Sequence, residues 1–257
     1  MKITMYPPEQ QVRGAFDGGK ITELKPIGFP GEGSAVKRVG PLFYWAWAHS
    51  AVEGYIPLHP HQGFEIITYM LHGHAEHQDT LGTQSKVAAG GAQVMQTGSG
   101  VSHAERFIGP DAEGFQIWFE PHLSQALQRP PAYYQYEHEE FPTAAAEGAA
   151  VKTIIGADAP VQLVADVRMW DIELAAGASY THTLPAGRSL AALAIHGKGR
   201  WAYEDGEASF HHKDFTVLEA GAEQASEVRL HSDGGVRIIV IEVPTEVDYP
   251  LYQKRQR

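Results

Sequence analysis

The strongest constraint on the fold is a series of short runs of β-branched and aromatic residues, set between Gly and Pro, several of them apolar on both alternating faces. They fall at 43–48, 64–71, 92–96, 115–119, 167–174, 190–195, 215–218 and 236–243. Ile66, Thr68 and Met70 alternate with Ile67, Tyr69 and Leu71, and Ile238 and Val240 alternate with Ile239 and Ile241. Side chains on a strand alternate between faces, so these strands must lie between two layers. Short, evenly punctuated runs predict an all-β architecture of sandwiches or barrels. Helix is expected only over 123–128. Between about 121 and 150 the pattern lapses into Arg129-Pro130-Pro131, an acidic stretch at 137–140 and Thr143-Ala144-Ala145-Ala146-Glu147-Gly148. This reads as a connection between two domains, 1–140 and 141–257.

Composition narrows the function. The chain has no Cys, so any transition metal must be held by His and carboxylates. A net charge of -11 argues against nucleic acid, whose phosphates need clustered Lys and Arg. The basic cluster Lys254-Arg255-Gln256-Arg257 reads as a solvated end. The start, Met1-Lys2-Ile3-Thr4, has no apolar leader, and no run of about 18 apolar residues occurs. A cytoplasmic monomer with no membrane contact is expected.

Two residue pairs carry the chemistry: His59-Pro60-His61 and His103-Ala104-Glu105. Residues i and i+2 of a strand project together, so two such strands side by side deliver four convergent donors. Three imidazoles and a carboxylate suit iron, copper, nickel, manganese or zinc, and an octahedral ion held by four protein atoms keeps two positions open for water, substrate or dioxygen. Against this, the chain has 14 His, and strand histidines often only hydrogen-bond the backbone. The second pair, a hairpin's length from the first, favours a metal.

Other polar candidates receive plainer roles. Glu65 is assigned to orienting a ligand histidine, with direct ligation as the lesser alternative. His72, His74 and His77 read as residues of a turn, with His77 set to hydrogen-bond across it; the adjacent His211-His212 reads as surface, since neighbours on a strand diverge. Gly98-Ser99-Gly100 lacks the Lys-Ser/Thr of a phosphate loop and reads as a turn leading into His103. Trp45, Trp47, Phe64, Met95 and Trp118 read as core, with one or two lining a pocket above the metal. No Gly-x-Ser-x-Gly elbow supports a serine hydrolase.

The halves also resemble each other. Aligning Leu71-His72-Gly73 with Ile195-His196-Gly197 brings Gly63 onto Gly187 and, after a one-residue shift, Gly98 onto Gly221. His59, His61, His103 and Glu105 then fall on Thr183, Pro185, Ser226 and Val228, although a slip of one would bring in His182. Two similar barrels, only the first with a metal, are expected.

The stretch His59-Pro60-His61-Gln62-Gly63-Phe64-Glu65-Ile66-Ile67-Thr68-Tyr69-Met70-Leu71 resembles the N-terminal signature of the pirin family. The resemblance continues through Glu76-His77-Gln78-Asp79-Thr80-Leu81-Gly82, Gln93-Val94-Met95-Gln96-Thr97-Gly98-Ser99-Gly100-Val101-Ser102-His103-Ala104-Glu105 and Gln116-Ile117-Trp118-Phe119. It implies a bicupin, two antiparallel cupin barrels in tandem. A mononuclear metal, usually iron, would sit in the first barrel on His59, His61, His103 and Glu105. Pirins are similar to quercetin 2,3-dioxygenases; some open flavonols with dioxygen, and others regulate transcription factors or metabolic enzymes. Three departures bear on the substrate: Gln62 where many pirins carry Arg or Lys, His72-Gly73-His74 where a Glu is usual, and a different N-terminal extension.

The resulting expectation is a quercetinase-type dioxygenase using one divalent ion, iron(II) first, with manganese, nickel, cobalt, copper and zinc open. Its substrate would be a small flavonol-like aromatic, with Glu105 as general base. Two rivals remain: a redox-sensing regulator that binds a protein partner, and a non-redox metal cupin that needs no oxygen.

Overall fold

Each expected run falls on a strand in the computed structural model, which describes residues 1–204 and 206–252; the basic tail 254–257 lies outside them. The first strands are β1 (Lys2–Tyr6), β2 (Val12–Phe16), β3 (Ile21–Ile27), β4 (Leu42–Ser50), β5 (Gly54–His61), β6 (Glu65–Asp79), β7 (Gln84–Ala88), β8 (Ala92–Gln96) and β9 (Val101–Phe119). After the single helical turn α1 (Leu123–Ala126) come β10 (Ala132–Tyr136), β11 (Thr143–Ala146), β12 (Ala149–Ile155), β13 (Arg168–Leu174), β14 (Ser179–Leu184), β15 (Arg188–Tyr203), β16 (Gly206–Phe210), β17 (Phe215–Glu219) and β18 (Ser226–Pro244). No helix among the described residues is long and apolar enough to cross a membrane.

Two antiparallel nine-stranded sheets result, one built around β6 and β9 and the other around β15 and β18. They define two units that are not contiguous in sequence. The N-terminal unit takes residues 11–140 with 163–165 and, among the described residues, 249–252; the C-terminal unit takes 1–10, 141–162 and 166–248. The opening strand β1 therefore belongs with the second sheet, where it pairs β17.

Two local expectations are corrected. The segment 121–150 is not a plain connection: β10 lies along β8 with Tyr133 opposite Met95, and β11 pairs β12. Strand pairing gives these backbone groups partners that a loose linker would leave to solvent. Nor are His72 and His74 in a turn, because β6 runs unbroken from Glu65 to Asp79. The strand stays intact because Gly73, at φ +69°, absorbs an irregularity that would otherwise end it.

The internal repeat is physical. Gly73 and Gly197 (φ +79°) sit at matching irregularities of β6 and β15. The N–H of Gly63 donates to the Gly98 carbonyl at 3.0 Å, and that of Gly187 to the Gly221 carbonyl at 3.0 Å. From these anchors the ladders correct the alignment downstream. Gln78 faces Ala104 as Ala202 faces Arg229, so His103 and Glu105 correspond to Val228 and Leu230. Across the next ladder His59 faces His103 as His182 faces Val228, so His59 corresponds to His182, not Thr183, and His61 to Leu184, not Pro185. Leu184, Val228 and Leu230 are fully buried in an apolar cluster with Trp201 and Phe210.

The repeat glycines differ in what they tolerate. A Cβ at Gly197 would collide with the Gly235 carbonyl oxygen and sit at positive φ, whereas one at Gly221 meets nothing within 4 Å. We expect Gly197→Ala to cost roughly 3 kcal/mol in urea denaturation and Gly221→Ala less than about 1 kcal/mol. Equal losses would contradict the anchor role of Gly197.

Candidate metal centre

Strands β5 and β9 pair antiparallel, with His59 directly opposite His103. Alternation puts His61 on the same side as His59, and Glu105 on the same side as His103. One donor nitrogen from each of His59, His61 and His103 lies within 4.8 Å of the others. The Nε2 atoms of His59 and His103 are 3.0 Å apart. Two donors at right angles on a cation, each bonded at about 2.1 Å, would stand about 3 Å apart. The Nδ1–H of His59 donates to the Pro57 carbonyl at 2.8 Å, which leaves the Nε2 lone pair free. His61 Nε2 is buried with no hydrogen-bond partner among the described residues. A buried acceptor left bare is rare, and a cation at this point would satisfy it. The donor set fits a transition metal.

Glu105 stands beside the three histidines and outside that cluster. Its Oε2 is 3.8 Å from His103 Nε2, and the residue is 3% exposed. Both carboxylate oxygens accept from Gln116 Nε2 at 2.8 Å, and Oε1 lies 3.5 Å from the Thr68 hydroxyl. The Trp118 indole N–H donates to Gln116 Oε1 at 3.1 Å, turning the amide so that its NH2 faces Glu105. Sequence reasoning missed Gln116 and Thr68; the signal was alternation, since Gln116 and Trp118 share one face of β9.

Glu65 does not orient a ligand histidine as expected. Its carboxylate accepts from the backbone N–H groups of Val164 (2.7 Å) and Ala165 (2.9 Å) and from Gln96 Nε2 (2.7 Å). Burial pushes its pKa up while these donors oppose the rise. His77 is buried and not in a turn. Its Nε2 lies 2.9 Å from Asp79 Oδ2, its ring stacks on Tyr133 at 4.4 Å, and it packs against His103 at 5.3 Å. The strand β6 carries it there, because His77 faces Glu105 and Asp79 faces His103 across the ladder.

Comparison with known proteins bears on the family and the fold. The family model described as Pirin matches residues 39–119. A pirin-like protein of Caulobacter vibrioides is 33% identical over 168 residues, 60% of this chain and 59% of its own length, so the match spans under two thirds of that relative. The crystal structure of an Escherichia coli pirin in complex with nickel(II) superimposes with a TM-score of 0.76 at 20% identity, covering 95% of this chain and 99% of that one. The quercetin 2,3-dioxygenase of Acinetobacter baumannii gives 0.77 at 20% identity, covering 98% and 89%. At such identities the structures establish the fold, two cupin barrels in tandem.

The histidines also set an acid limit. Burial, reinforced by His103 and His59 alongside, pushes His61 from 6.5 down to about 3. The unfolded chain takes up this proton near 6.5 and the folded chain only near 3, so the stability is complete above 6.5 and lost as pH falls towards 3. In metal-free protein, His61→Leu, the residue type found at Leu184, should lose less stability across that window than wild type. Urea melts at stepped pH measure this; parallel curves would refute it.

Proposed function

Because the chain carries a pirin-family domain over residues 39–119, we propose that it is a metal-dependent cupin dioxygenase of the quercetinase type, opening a flavonol-like substrate with dioxygen. The observation that supports this is the convergence of three histidine nitrogens beside the buried Glu105 carboxylate. His59, His61, His103 and Glu105 would hold one divalent ion, iron(II) first among manganese, nickel, cobalt, copper and zinc. When bound, the ion supplies Lewis acidity that lowers the pKa of a substrate hydroxyl, together with coordination positions left open by four protein donors.

The remaining work falls to the chain's own residues. The Pro57 carbonyl fixes the His59 tautomer, so its Nε2 faces His103. Glu105 is the general base, taking the substrate hydroxyl proton at Oε2, the oxygen nearer His103. Gln116, aimed by the Trp118 indole, holds the Glu105 carboxylate in place. A side-chain amide can follow a carboxylate that shifts as it takes a proton. Phe64 and Trp118 pack against His61 at 5.3 and 5.2 Å and keep water from its ring.

His59→Ala and His103→Ala should abolish metal content and quercetin-dependent oxygen uptake together, read by metal analysis and an oxygen electrode. Glu105→Gln should lower the rate about 100-fold. Oxygen uptake by metal-stripped protein would overturn the proposal, and turnover without oxygen would favour the non-redox cupin instead.

A further inference from the structure

The ring of His103 lacks the support that metal-binding imidazoles ordinarily have. Such a ligand donates its second ring N–H to a carboxylate or a carbonyl, which fixes its tautomer and its plane. His59 does so through Nδ1, to the Pro57 carbonyl at 2.8 Å. His103 turns Nε2 to the centre, 3.0 Å from His59 Nε2, and its Nδ1 is buried with no hydrogen-bond partner among the described residues. A buried polar atom left bare calls for a reason. With no bond behind it, packing is what stops the ring from turning about its Cβ–Cγ axis.

That packing is built in layers. His59 and His61 flank the His103 ring at 4.5 and 4.8 Å, but both belong to the donor cluster. A third neighbour, His77, stands outside the cluster, 5.3 Å from His103 at an interplanar angle of 61°. Its own orientation is fixed twice over. Its Nε2 lies 2.9 Å from Asp79 Oδ2, while Asp79 Oδ1 accepts from the backbone N–H groups of Leu81 at 2.8 Å and Thr83 at 3.0 Å. Tyr133 lies nearly flat on the His77 ring, at 4.4 Å and 22°. The Tyr133 hydroxyl is 2.5 Å from the Ser85 hydroxyl and donates to Gln135 Oε1 at 3.2 Å, and Gln135 Nε2 donates to the Lys86 carbonyl at 2.8 Å. The row Tyr133, His77, His103 thus leads from β10 to the metal centre, and a close-packed interior leaves each ring few orientations.

We propose that Tyr133 and His77 are positioning residues of the metal centre, which together hold the His103 ring by packing where a hydrogen bond holds His59. The proposal rests on His59, His61 and His103 being metal donors, and not on the reaction. Packing fixes the direction of Nε2 without the added basicity that an acceptor on Nδ1 would give. The stack therefore sets how tightly, and in what geometry, an ion is held.

Nickel(II) and cobalt(II), each added alone to metal-stripped protein, test this through chelator competition for the nickel Kd and through the cobalt d–d bands. Tyr133→Leu fills the space without a flat face, and His77→Gln keeps a donor for Asp79 without the ring. Each should weaken nickel binding about tenfold or more and shift the cobalt bands. Tyr133→Phe keeps the ring and loses the hydroxyl bonds, and should bind as wild type does. In metal-free protein, 1H–15N spectra of the histidine rings should show one set of His103 signals in wild type and Tyr133→Phe, and broadened or doubled signals in Tyr133→Leu. Wild-type nickel affinity in both Tyr133→Leu and His77→Gln, or an equal loss in Tyr133→Phe, would overturn the proposal. So would a lowered urea midpoint with unmoved cobalt bands, or one sharp His103 set in every variant. Absence of nickel binding by the wild type would overturn the metal centre, while the metal-free ring spectra would still decide whether the stack holds His103.

Discussion

The ladder between β6 and β9 is the constraint on which the rest of the N-terminal unit depends. It runs from Glu65 opposite Phe119 to Asp79 opposite His103, with irregularities on either side of His72. In a regular strand a given face keeps one parity of residue number. Here the parity changes. Thr68, Gln116 and Trp118 are joined through hydrogen bonds to Glu105, and Ala75, His77 and Phe107 lie beyond the irregularity on the odd positions of the same interior. A one-residue slip turns every side chain to the other face. Without the irregularity of β9 between Ile108 and Glu113, His103 and Glu105 could not share an interior with Gln116 and Trp118, and without that of β6 at Gly73 His77 could not join Thr68 there.

The C-terminal unit keeps this frame with different contents. The turn bonds recur almost unchanged: Gly90 N–H to Met70 carbonyl at 2.7 Å matches Lys213 N–H to Ala194 carbonyl at 2.7 Å. Inside, the ladders put Leu184, Val228, Leu230 and Val240 where His61, His103, Glu105 and Gln116 stand. Polar groups are thus replaced together with their partners. Losing only one would leave a buried donor or acceptor bare, which costs more than removing both. The position of Trp118 becomes Glu242, which takes His182 at 2.8 Å, Arg168 at 3.0 Å and Arg188 at 2.6 Å. Of the three clustered histidines, the one whose counterpart is still a histidine, His182, serves that carboxylate.

Much of this was legible because alternation and punctuation are local signals. The eight strand runs and the pairing of His59-Pro60-His61 with His103-Ala104-Glu105 needed only period two and a hairpin's spacing. What the residues hid lies in long-range pairing. The strand β10 exists because β8 offers it an edge, and nothing in Ala132 to Tyr136 alone announces that. His77 was read as part of a turn because a His-Gly-His segment precedes it; a positive-φ glycine inside a strand overrides that reading. The one-residue error that placed His59 on Thr183 arose because two residues, Pro185 and Ala186, separate Leu184 from Gly187 where only Gln62 separates His61 from Gly63, and only the ladders reveal the shift.

The two buried carboxylates of the first sheet show why site and scaffold differ. Glu65 is 2% exposed and Glu105 3%, so burial alone separates nothing. The donors do. Glu65 is gripped by the backbone N–H groups of Val164 and Ala165, in a segment almost a hundred residues away in sequence. Backbone amides are fixed by the fold, so this carboxylate is pinned, and its task is to bring the tripeptide 163–165 into the N-terminal unit. Among the described residues Glu105 receives side-chain donors, from Gln116 and Thr68, and turns Oε2 towards His103. Side chains can move with a group whose charge changes, and backbone cannot. We propose that this difference in mobility, more than depth, suits Glu105 to exchange a proton, while Glu65 serves the frame.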